Sequence, residues 1–311
     1  MSGAGAPRVA NGPPGHPPWA AAAAIAGGAR IVALAQAQAL LWMREGEPGE
    51  LREVLATAPQ LRWVHLRWAG VERFAGVLDR DRVWTAGKGV FADAVAEHAL
   101  ALGLAGLRGI TARAGARDWG PPAARTQSTS LLDGRVTVIG AGAIAGALAR
   151  MLAPLRARLT VVRRRELPFP GAERTLPAQR LDEALPGADL VVVAAALTPA
   201  TSGMLGRAQL ARMERHAWLV NVARGACVVT DDLVAVLREG RIGGAALDVT
   251  DPEPLPAGHP LWTLERCVIT PHSASPTELT EGAQRERITE NVRRFAAGRE
   301  LLGVVDLDAG Y

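Results

Sequence analysis

The sequence predicts an α/β protein built on a doubly wound parallel sheet, and two observations support this fold class. Six short apolar runs alternate with helical stretches from residue 135 onward, which is the pattern of strands joined by crossover helices. A glycine-rich turn follows the first run and opens a helix. The six strand candidates are 136–139, 159–162, 190–194, 218–222, 245–249 and 267–270. We expect them to form a Rossmann-type nucleotide-binding domain.

The first hundred residues predict a second, smaller α/β domain of flavodoxin-like type. Its strand candidates are weaker and lie at 30–35, 61–66 and 82–84. A helical pattern over 91–113 leads to the larger sheet, and another over 280–297 leads away from it. The strand-like run 301–306 has no partner nearby in the sequence, so we expect the tail to rejoin the first domain. The predicted domains are 1–96 with 284–311 for the substrate, and 97–283 for the dinucleotide.

The charge balance argues against a polyanionic partner. The chain has 35 basic and 31 acidic residues, a net charge of only +4, and Lys88 is its one lysine. The pI of 9.9 reflects arginine-rich composition, because arginines stay charged at any ordinary pH. We therefore expect no nucleic-acid binding.

The hydropathy pattern and the two cysteines indicate a cytoplasmic protein. No uncharged apolar run reaches the length of a membrane span, about 18 residues. The Pro- and Gly-rich first 28 residues lack a basic cluster, so we interpret them as a disordered or overextended leader and not as a signal peptide. Cys227 and Cys267 lie in apolar runs without metal-ligand spacing, which favours buried free thiols and no metal site.

The glycine-rich turn carries a dinucleotide-binding pattern. Gly140, Gly142 and Ala145 stand between the first strand candidate and an Ala-rich helix. The first glycine permits a tight turn, the second lets the backbone approach a pyrophosphate, and the third small residue allows close packing of helix on strand. Amides at the helix N-terminus would then face the phosphates. A glycine turn that only packs is the alternative.

The end of the second strand predicts the cofactor. NAD-binding proteins usually place an acidic residue there to bind the ribose 2′-hydroxyl, whereas this chain has Arg163, Arg164 and Arg165. A guanidinium can hold a 2′-phosphate that a carboxylate would repel. We expect a preference for NADP over NAD; the alternative is a solvated basic turn.

Three polar residues follow later strands on the side where ligands of open α/β sheets bind: Arg224, Glu253 and His272. Reduction of a 2-oxo acid needs a fixed cation for the carboxylate and carbonyl, and an acid to protonate the oxygen. A neighbouring carboxylate would orient the histidine and favour its protonated form. Taken singly, the three could equally be a helix-end salt bridge, a loop charge and a turn residue.

Seven segments between Leu61 and Asp306 together resemble the D-isomer-specific 2-hydroxyacid dehydrogenase family, including glyoxylate/hydroxypyruvate reductases and phosphoglycerate dehydrogenase-like members. They are LRWVHLRWAG (61–70), GKGVFADAVAEHAL (87–100), residues 132–146, LTPATSGMLGRAQL (197–210), LVNVARGACVV (219–229), GGAALDVTDPEPLPAGHPLW (243–262) and VITPHSA (268–274).

The resemblance implies an oxidoreductase that transfers a hydride between NAD(P)H and a small 2-oxo acid, possible substrates being glyoxylate and hydroxypyruvate. In the family the matching arginine binds substrate, and the matching glutamate pairs with the acid–base histidine. The implied catalytic residues are Arg224, Glu253 and His272, and the implied substrate-binding residues are Ala69, Gly70 and Lys88. The cofactor-binding residues would be Gly140, Gly142, Ala143, Ile144, Arg163, Arg164, Thr198, Val222, Ala223, Asp248 and Ser273.

The resemblance also implies a homodimer joined through the nucleotide domains, with the helix around 94–107 in the contact. His98 on this helix is interpreted as a packing or dimer-contact residue. The chain departs from the family pattern at Ala145, Ala196, Thr250 and Ser273. The first three bear on cofactor seating, and none of the four removes a catalytic group. The alternative function is a non-catalytic NAD(P)-sensing regulatory protein on the same fold.

Overall fold

The computed structural model describes residues 5–12, 15–44, 48–114, 117–119 and 128–311. The chain divides into two compact units, which we call the terminal unit (1–91 and 277–311) and the central unit (92–276). Both divisions fall where a long helix begins, whereas the sequence pattern placed them a few residues later, inside those helices.

The strands and helices are numbered in chain order. The strands are β1 Arg8–Ala10, β2 Arg30–Ile31, β3 Ala39–Trp42, β4 Trp63–Leu66, β5 Val83–Thr85, β6 Arg135–Ile139, β7 Arg158–Arg163, β8 Arg174–Pro177, β9 Leu190–Val193, β10 Trp218–Asn221, β11 Gly244–Leu247 and β12 Cys267–Ile269. The helices are α1 Pro18–Ala26, α2 Pro48–Ala56, α3 Ala92–Leu107, α4 Ile110–Ala114, α5 Ala143–Leu152, α6 Leu181–Ala184, α7 Arg207–Leu210, α8 Thr230–Arg238 and α9 Thr277–Ala296.

The terminal unit contains a five-stranded parallel sheet in the order β2-β1-β3-β4-β5, which is the flavodoxin-like order. Helix α2 packs on one face through Leu51 and Leu55, beside Leu40 of β3. Helices α1 and α9 pack on the other face, where Ile288 and Leu41 share a core. Alternate residues of β3 thus point to opposite faces, and both faces are covered.

The expected disordered leader is wrong for the described part of the first 28 residues. Residues 8–10 form strand β1, which lies between β2 and β3 in the sheet, and Val9 is fully buried. Helix α1 begins with Pro18 at its first turn, a position that proline tolerates, and buries Trp19. The Pro- and Gly-rich composition therefore marks turns around a three-residue strand and an Ala-rich helix.

The central unit contains a seven-stranded parallel sheet in the order β12-β11-β10-β9-β6-β7-β8. Chain direction across the sheet reverses between β6 and β9, the switch point at which doubly wound folds bind ligands. The α/β class with its Rossmann-type sheet is thus confirmed, and all six predicted strands are present. The seventh strand, β8, escaped detection because it is a short edge strand that begins with Arg174 and ends with Pro177.

The chain tail returns to the terminal unit, as the sequence predicts. Val304 bridges Thr85 of β5 in antiparallel fashion, and the Val305 amide donates to the Trp84 carbonyl at 2.9 Å. Among the described residues, no helix combines the length and apolar character needed to cross a membrane.

Candidate active site

The glycine turn between β6 and α5 lies at the switch point of the central sheet. The Gly140 amide donates to Val162 of β7, and the Ala194 amide after β9 donates to Ile139. Gly140 has φ +117°, and a Cβ there would lie 2.4 Å from the Ala194 carbonyl oxygen. A side chain at Gly140 is thus excluded by both strain and space.

Gly142 has a different reason to be glycine. It caps α5 with an ordinary φ of −85°, and a Cβ there would meet nothing within 4 Å. Ala143 and Ile144 follow it in the first turn of α5, with Ala143 exposed. The open space in front of a helix N-terminus, lined by backbone amides, is suited to a phosphate.

Arg163 ends β7, and Arg164 follows it. The Arg163 guanidinium donates to the Leu167 carbonyl at 3.2 Å and remains partly exposed. Thr198, in the loop after β9, donates its amide to the Thr201 hydroxyl at 2.8 Å. That hydroxyl in turn donates to the Ala196 carbonyl at 2.6 Å, which closes the turn.

The loop after β10 is shaped by Asn221, which sequence reasoning did not select. Its buried side chain donates to the Arg224 carbonyl at 2.9 Å and accepts from the Ala223 amide at 3.1 Å. This is the local bonding by which asparagine replaces a backbone turn. The signal available in the sequence for this turn was an asparagine at the end of a predicted strand.

The same turn brings the loops after β10 and β11 together. Gly225 packs so closely that a Cβ would lie 1.9 Å from the Thr250 carbonyl carbon. Arg224 just before it is half-buried and donates to the Ala223 carbonyl at 2.7 Å. The structure thus places Arg224 next to the loop that carries Glu253.

His272 and Glu253 form a direct pair. His272 Nδ1 lies 2.7 Å from Glu253 Oε1, and the two side chains are 47% and 41% exposed. They follow the neighbouring strands β12 and β11. The loop of Glu253 is fastened to the body of the unit, because the Thr230 hydroxyl donates to the Asp251 carbonyl at 2.7 Å.

Asp248, expected beside the cofactor, is 3% exposed. Its carboxylate accepts from the Thr270 hydroxyl at 2.6 Å, the Ser273 amide at 2.9 Å and the Ala274 amide at 3.1 Å. The carboxylate therefore binds the segment that carries His272. Its contact with a cofactor stays a prediction.

The substrate-binding candidates Ala69, Gly70 and Lys88 belong to the terminal unit. Ala69 is exposed in the loop after β4. The Lys88 ammonium donates to the Val304 carbonyl at 2.9 Å and lies 5.4 Å from the centre of the Tyr311 ring. Burial lowers the pKa of Lys88, against the opposing charge of Asp306. Lys88 thus binds the chain tail.

Both cysteines are free thiols, but only Cys227 is buried; Cys267, expected to be buried as well, is half-buried in β12. Desolvation still raises the pKa of Cys267 to about 12, so this thiol is protonated at neutral pH. The described residues contain no group of three or more histidine, cysteine, aspartate or glutamate side chains that could hold a metal ion.

Comparison with known proteins identifies the family. The model of the D-isomer specific 2-hydroxyacid dehydrogenase NAD binding domain matches residues 98–274. An uncharacterized protein in the proB 3′ region of Corynebacterium melassecola is 36% identical over 255 residues, 81% of this chain and 84% of that protein.

Two further relatives have a described activity or a solved structure. The glyoxylate reductase/hydroxypyruvate reductase of Homo sapiens is 38% identical over 57% of this chain, and the match spans 52% of that protein. The D-isomer specific 2-hydroxyacid dehydrogenase from Xanthobacter autotrophicus Py2, crystallised with NADPH and MES, superposes with a TM-score of 0.81. It shares 27% identity, over 99% of this chain and all of that one. The chain is therefore a member of the D-isomer specific 2-hydroxyacid dehydrogenase family.

Proposed function

We propose that the protein is an NADPH-dependent reductase of small 2-oxo acids, with Arg224, Glu253 and His272 as its catalytic residues. The observation that carries this proposal is the 2.7 Å contact between His272 and Glu253. His272 and Glu253 lie on loops that follow the adjacent strands β12 and β11, and the loop of Glu253 packs against the loop of Arg224. An oriented imidazole beside a fixed guanidinium is the equipment that carbonyl reduction requires.

The dinucleotide fits the residues present. The open space at Gly142, in front of the α5 N-terminus, is one that a Cβ would occupy. Bound NADPH would supply the hydride. The residues proposed to hold it are Gly140, Gly142, Ala143 and Ile144 at the phosphates, Arg163 and Arg164 at the ribose, and Thr198, Val222, Ala223, Asp248 and Ser273 along the strand ends.

The preference for NADPH over NADH rests on Arg163 and Arg164. They stand at the end of β7, where an acidic acceptor for a 2′-hydroxyl would otherwise be expected. A guanidinium there offers charge-assisted hydrogen bonds to a 2′-phosphate. The NADPH complex of the Xanthobacter relative agrees with this preference.

The three proposed catalytic residues would have different chemical roles. Glu253 accepts from Nδ1–H of His272, so Nε2 is the nitrogen that exchanges a proton with the substrate oxygen. The Arg224 guanidinium would bind the carboxylate in two-pronged fashion and polarise the carbonyl. Both groups stabilise the charge that develops on oxygen during reduction.

The substrate class we propose is a small 2-oxo acid such as glyoxylate or hydroxypyruvate. Ala69, Gly70 and Lys88 stay proposed substrate-binding residues, and within the terminal unit Lys88 donates to the Val304 carbonyl of the chain tail. The human relative carries a glyoxylate and hydroxypyruvate reductase description, which supports this class.

A cytoplasmic homodimer is part of the proposal. Helix α3, the proposed contact, has Asp93, Glu97 and His98 as its only charged or titratable residues. Its Gly103 packs on Leu190 and its Gly106 on Trp218 of the unit's own sheet. Small apolar residues elsewhere on α3, such as the exposed Ala101, suit packing against a second copy. Sedimentation equilibrium of the full chain would show the dimer mass, and a monomer at micromolar concentration would contradict it.

The test of the enzyme function is a substrate panel with both cofactors. The full chain and H272A are assayed with glyoxylate, hydroxypyruvate, pyruvate and phenylpyruvate, using NADPH and NADH. We expect turnover of the smaller acids with NADPH and its loss in H272A. Tight NADPH binding without turnover of any acid would contradict the enzyme function and favour a non-catalytic nucleotide-sensing protein.

A further inference from the structure

His98 makes contacts that a packing residue does not need. Its Nε2 lies 3.0 Å from Thr270 Oγ1 and 3.3 Å from Asp248 Oδ1. The Thr270 hydroxyl donates its single proton to Asp248 Oδ1 at 2.6 Å. His98 must therefore donate to Thr270, so Nε2 of its ring carries a proton.

From Asp248 the hydrogen bonds continue to the backbone segment that carries His272. The Asp248 carbonyl accepts from the His272 amide at 2.9 Å. Its carboxylate accepts from Ser273 at 2.9 Å and from Ala274 at 3.1 Å. Asp248 thus binds three consecutive backbone amides while its own side chain is 2% exposed.

His272 needs such support because its backbone is strained. Its φ is +50°, in the left-handed region, which costs a residue other than glycine about 1 kcal/mol. Such a conformation persists only where its surroundings impose it. Here the amides of 272, 273 and 274 are held by Asp248, and the result is a ring directed at Glu253.

We infer that His98 is a positioning residue for the proposed reaction. By donating to Thr270, it fixes the rotamer of the Asp248 carboxylate, and Asp248 fixes the backbone that aims His272. Helix α3 is thereby coupled to the catalytic pair through side-chain hydrogen bonds within the central unit. This inference rests on the proposed function, since it assigns His98 to the same site.

The first test compares two replacements of His98. H98F keeps a planar ring and loses the donor, whereas H98Q places an amide donor near the position of Nε2. Because a small misplacement of a catalytic group lowers rate strongly, we expect kcat of H98F to fall about 10-fold, with KM for the 2-oxo acid changed less than about twofold. H98Q should recover most of kcat.

The matched control is His216, which contacts Asp189 at 2.6 Å. That pair lies just before β9 and β10 begin, at the amino ends of the strands, whereas the site lies at their carboxyl ends. H216F should keep the wild-type kcat. Equal losses of melting temperature in H98F and H216F, with kcat of H98F unchanged, would overturn the inference and leave His98 as a packing residue.

A second readout does not depend on turnover. In the 15N-labelled full chain, the imidazole signals of His272 are identified by their absence in H272A. We expect them to shift in H98F and to stay in place in H98Q and H216F. If they do not move in H98F, the positioning role fails. Inactivity of the wild type with every acid would instead defeat the proposed function, and the imidazole signals would still decide the role of His98.

Discussion

His272 Nδ1 and Glu253 Oε1 lie 2.7 Å apart, although 19 residues separate them in the chain. The contact arises because β11 and β12 are neighbours, so that the loops at their carboxyl ends meet. It fixes one ring nitrogen and leaves Nε2 for chemistry. The two side chains remain nearly half exposed, and a substrate can reach them.

We predict that H272A lowers kcat by a factor of about 10² to 10⁴, the usual contribution of a general acid. E253Q should lower it about 10-fold, since a neutral amide orients the ring but stabilises its positive charge less. Stopped-flow reduction of glyoxylate measures both, and fluorescence titration should give an unchanged NADPH Kd. The control is D189N, which changes the carboxylate paired with His216 and should keep the wild-type kcat. A wild-type kcat in E253Q would show that Glu253 does not take part in the reaction.

Arg224→Lys should lower kcat/KM for the 2-oxo acid by about 100-fold, mainly through KM. Lysine keeps the charge but cannot bind a carboxylate with two parallel hydrogen bonds. Steady-state kinetics at saturating NADPH measures the change. Arg207→Lys is the control, because Arg207 is an exposed arginine paired with Glu239. A kcat/KM within twofold of wild type in R224K would show that substrate binds elsewhere.

Arg163→Asp should exchange the cofactor preference. Removing a charge-assisted contact with the 2′-phosphate and adding a repelling carboxylate should lower kcat/KM for NADPH by about 10- to 100-fold. The value for NADH should stay or rise. Arg156→Ala, at an arginine paired with Asp133, is the control and should not change the ratio of kcat/KM for NADPH to kcat/KM for NADH. If wild type uses NADH as well as NADPH, the arginines form a solvated turn.

The sequence predicted most of the central unit because its strands are continuous apolar runs. The glycine turn and the pairing of Glu253 with His272 also follow from motifs whose positions along the chain are distinctive. The terminal unit was harder to predict. Its strand β1 is only three residues long and follows a segment rich in glycine and proline, so neither periodicity nor composition distinguishes it.

Contacts formed by side chains far apart in the chain could not be predicted. His98 and Thr270 are 172 residues apart, and only the packing of α3 beside β10 and β11 brings them together. The contact of Lys88 with Val304, 216 residues away, is another example. A motif states which residue types occur, whereas hydrogen-bond partners depend on register and loop closure.

Substitutions of the two glycines before α5 should have different effects, one on stability and the other on cofactor binding. Gly140→Ala strains a φ of +117° and meets the Ala194 carbonyl, so it should lower the free energy of unfolding by more than about 1 kcal/mol. Gly142→Ala enters open space, so it should keep the wild-type melting temperature and weaken NADPH binding about 10-fold or more. Calorimetry and cofactor titration measure these. Wild-type affinity in G142A would place the pyrophosphate elsewhere.

His65 should make the protein less stable in mild acid. Burial, reinforced by the charge of Arg287, lowers the pKa of His65 from 6.5 to about 3. Folded His65 thus stays neutral where the unfolded chain binds a proton, so its stabilisation is complete above pH 6.5 and declines as the pH falls toward 3.

Between pH 7 and 5 the loss from His65 alone should be about 2 kcal/mol, because below pH 6.5 it grows toward about 1.36 kcal/mol per pH unit. H65N retains a polar group for the hydrogen bond with Thr85, which His65 makes through Nδ1 at 2.9 Å, and it does not titrate. Urea unfolding followed by tryptophan fluorescence at pH 7, 6 and 5 should therefore show a shallower decline in H65N than in wild type. Parallel declines in the two proteins would mean that His65 is protonated in the folded state.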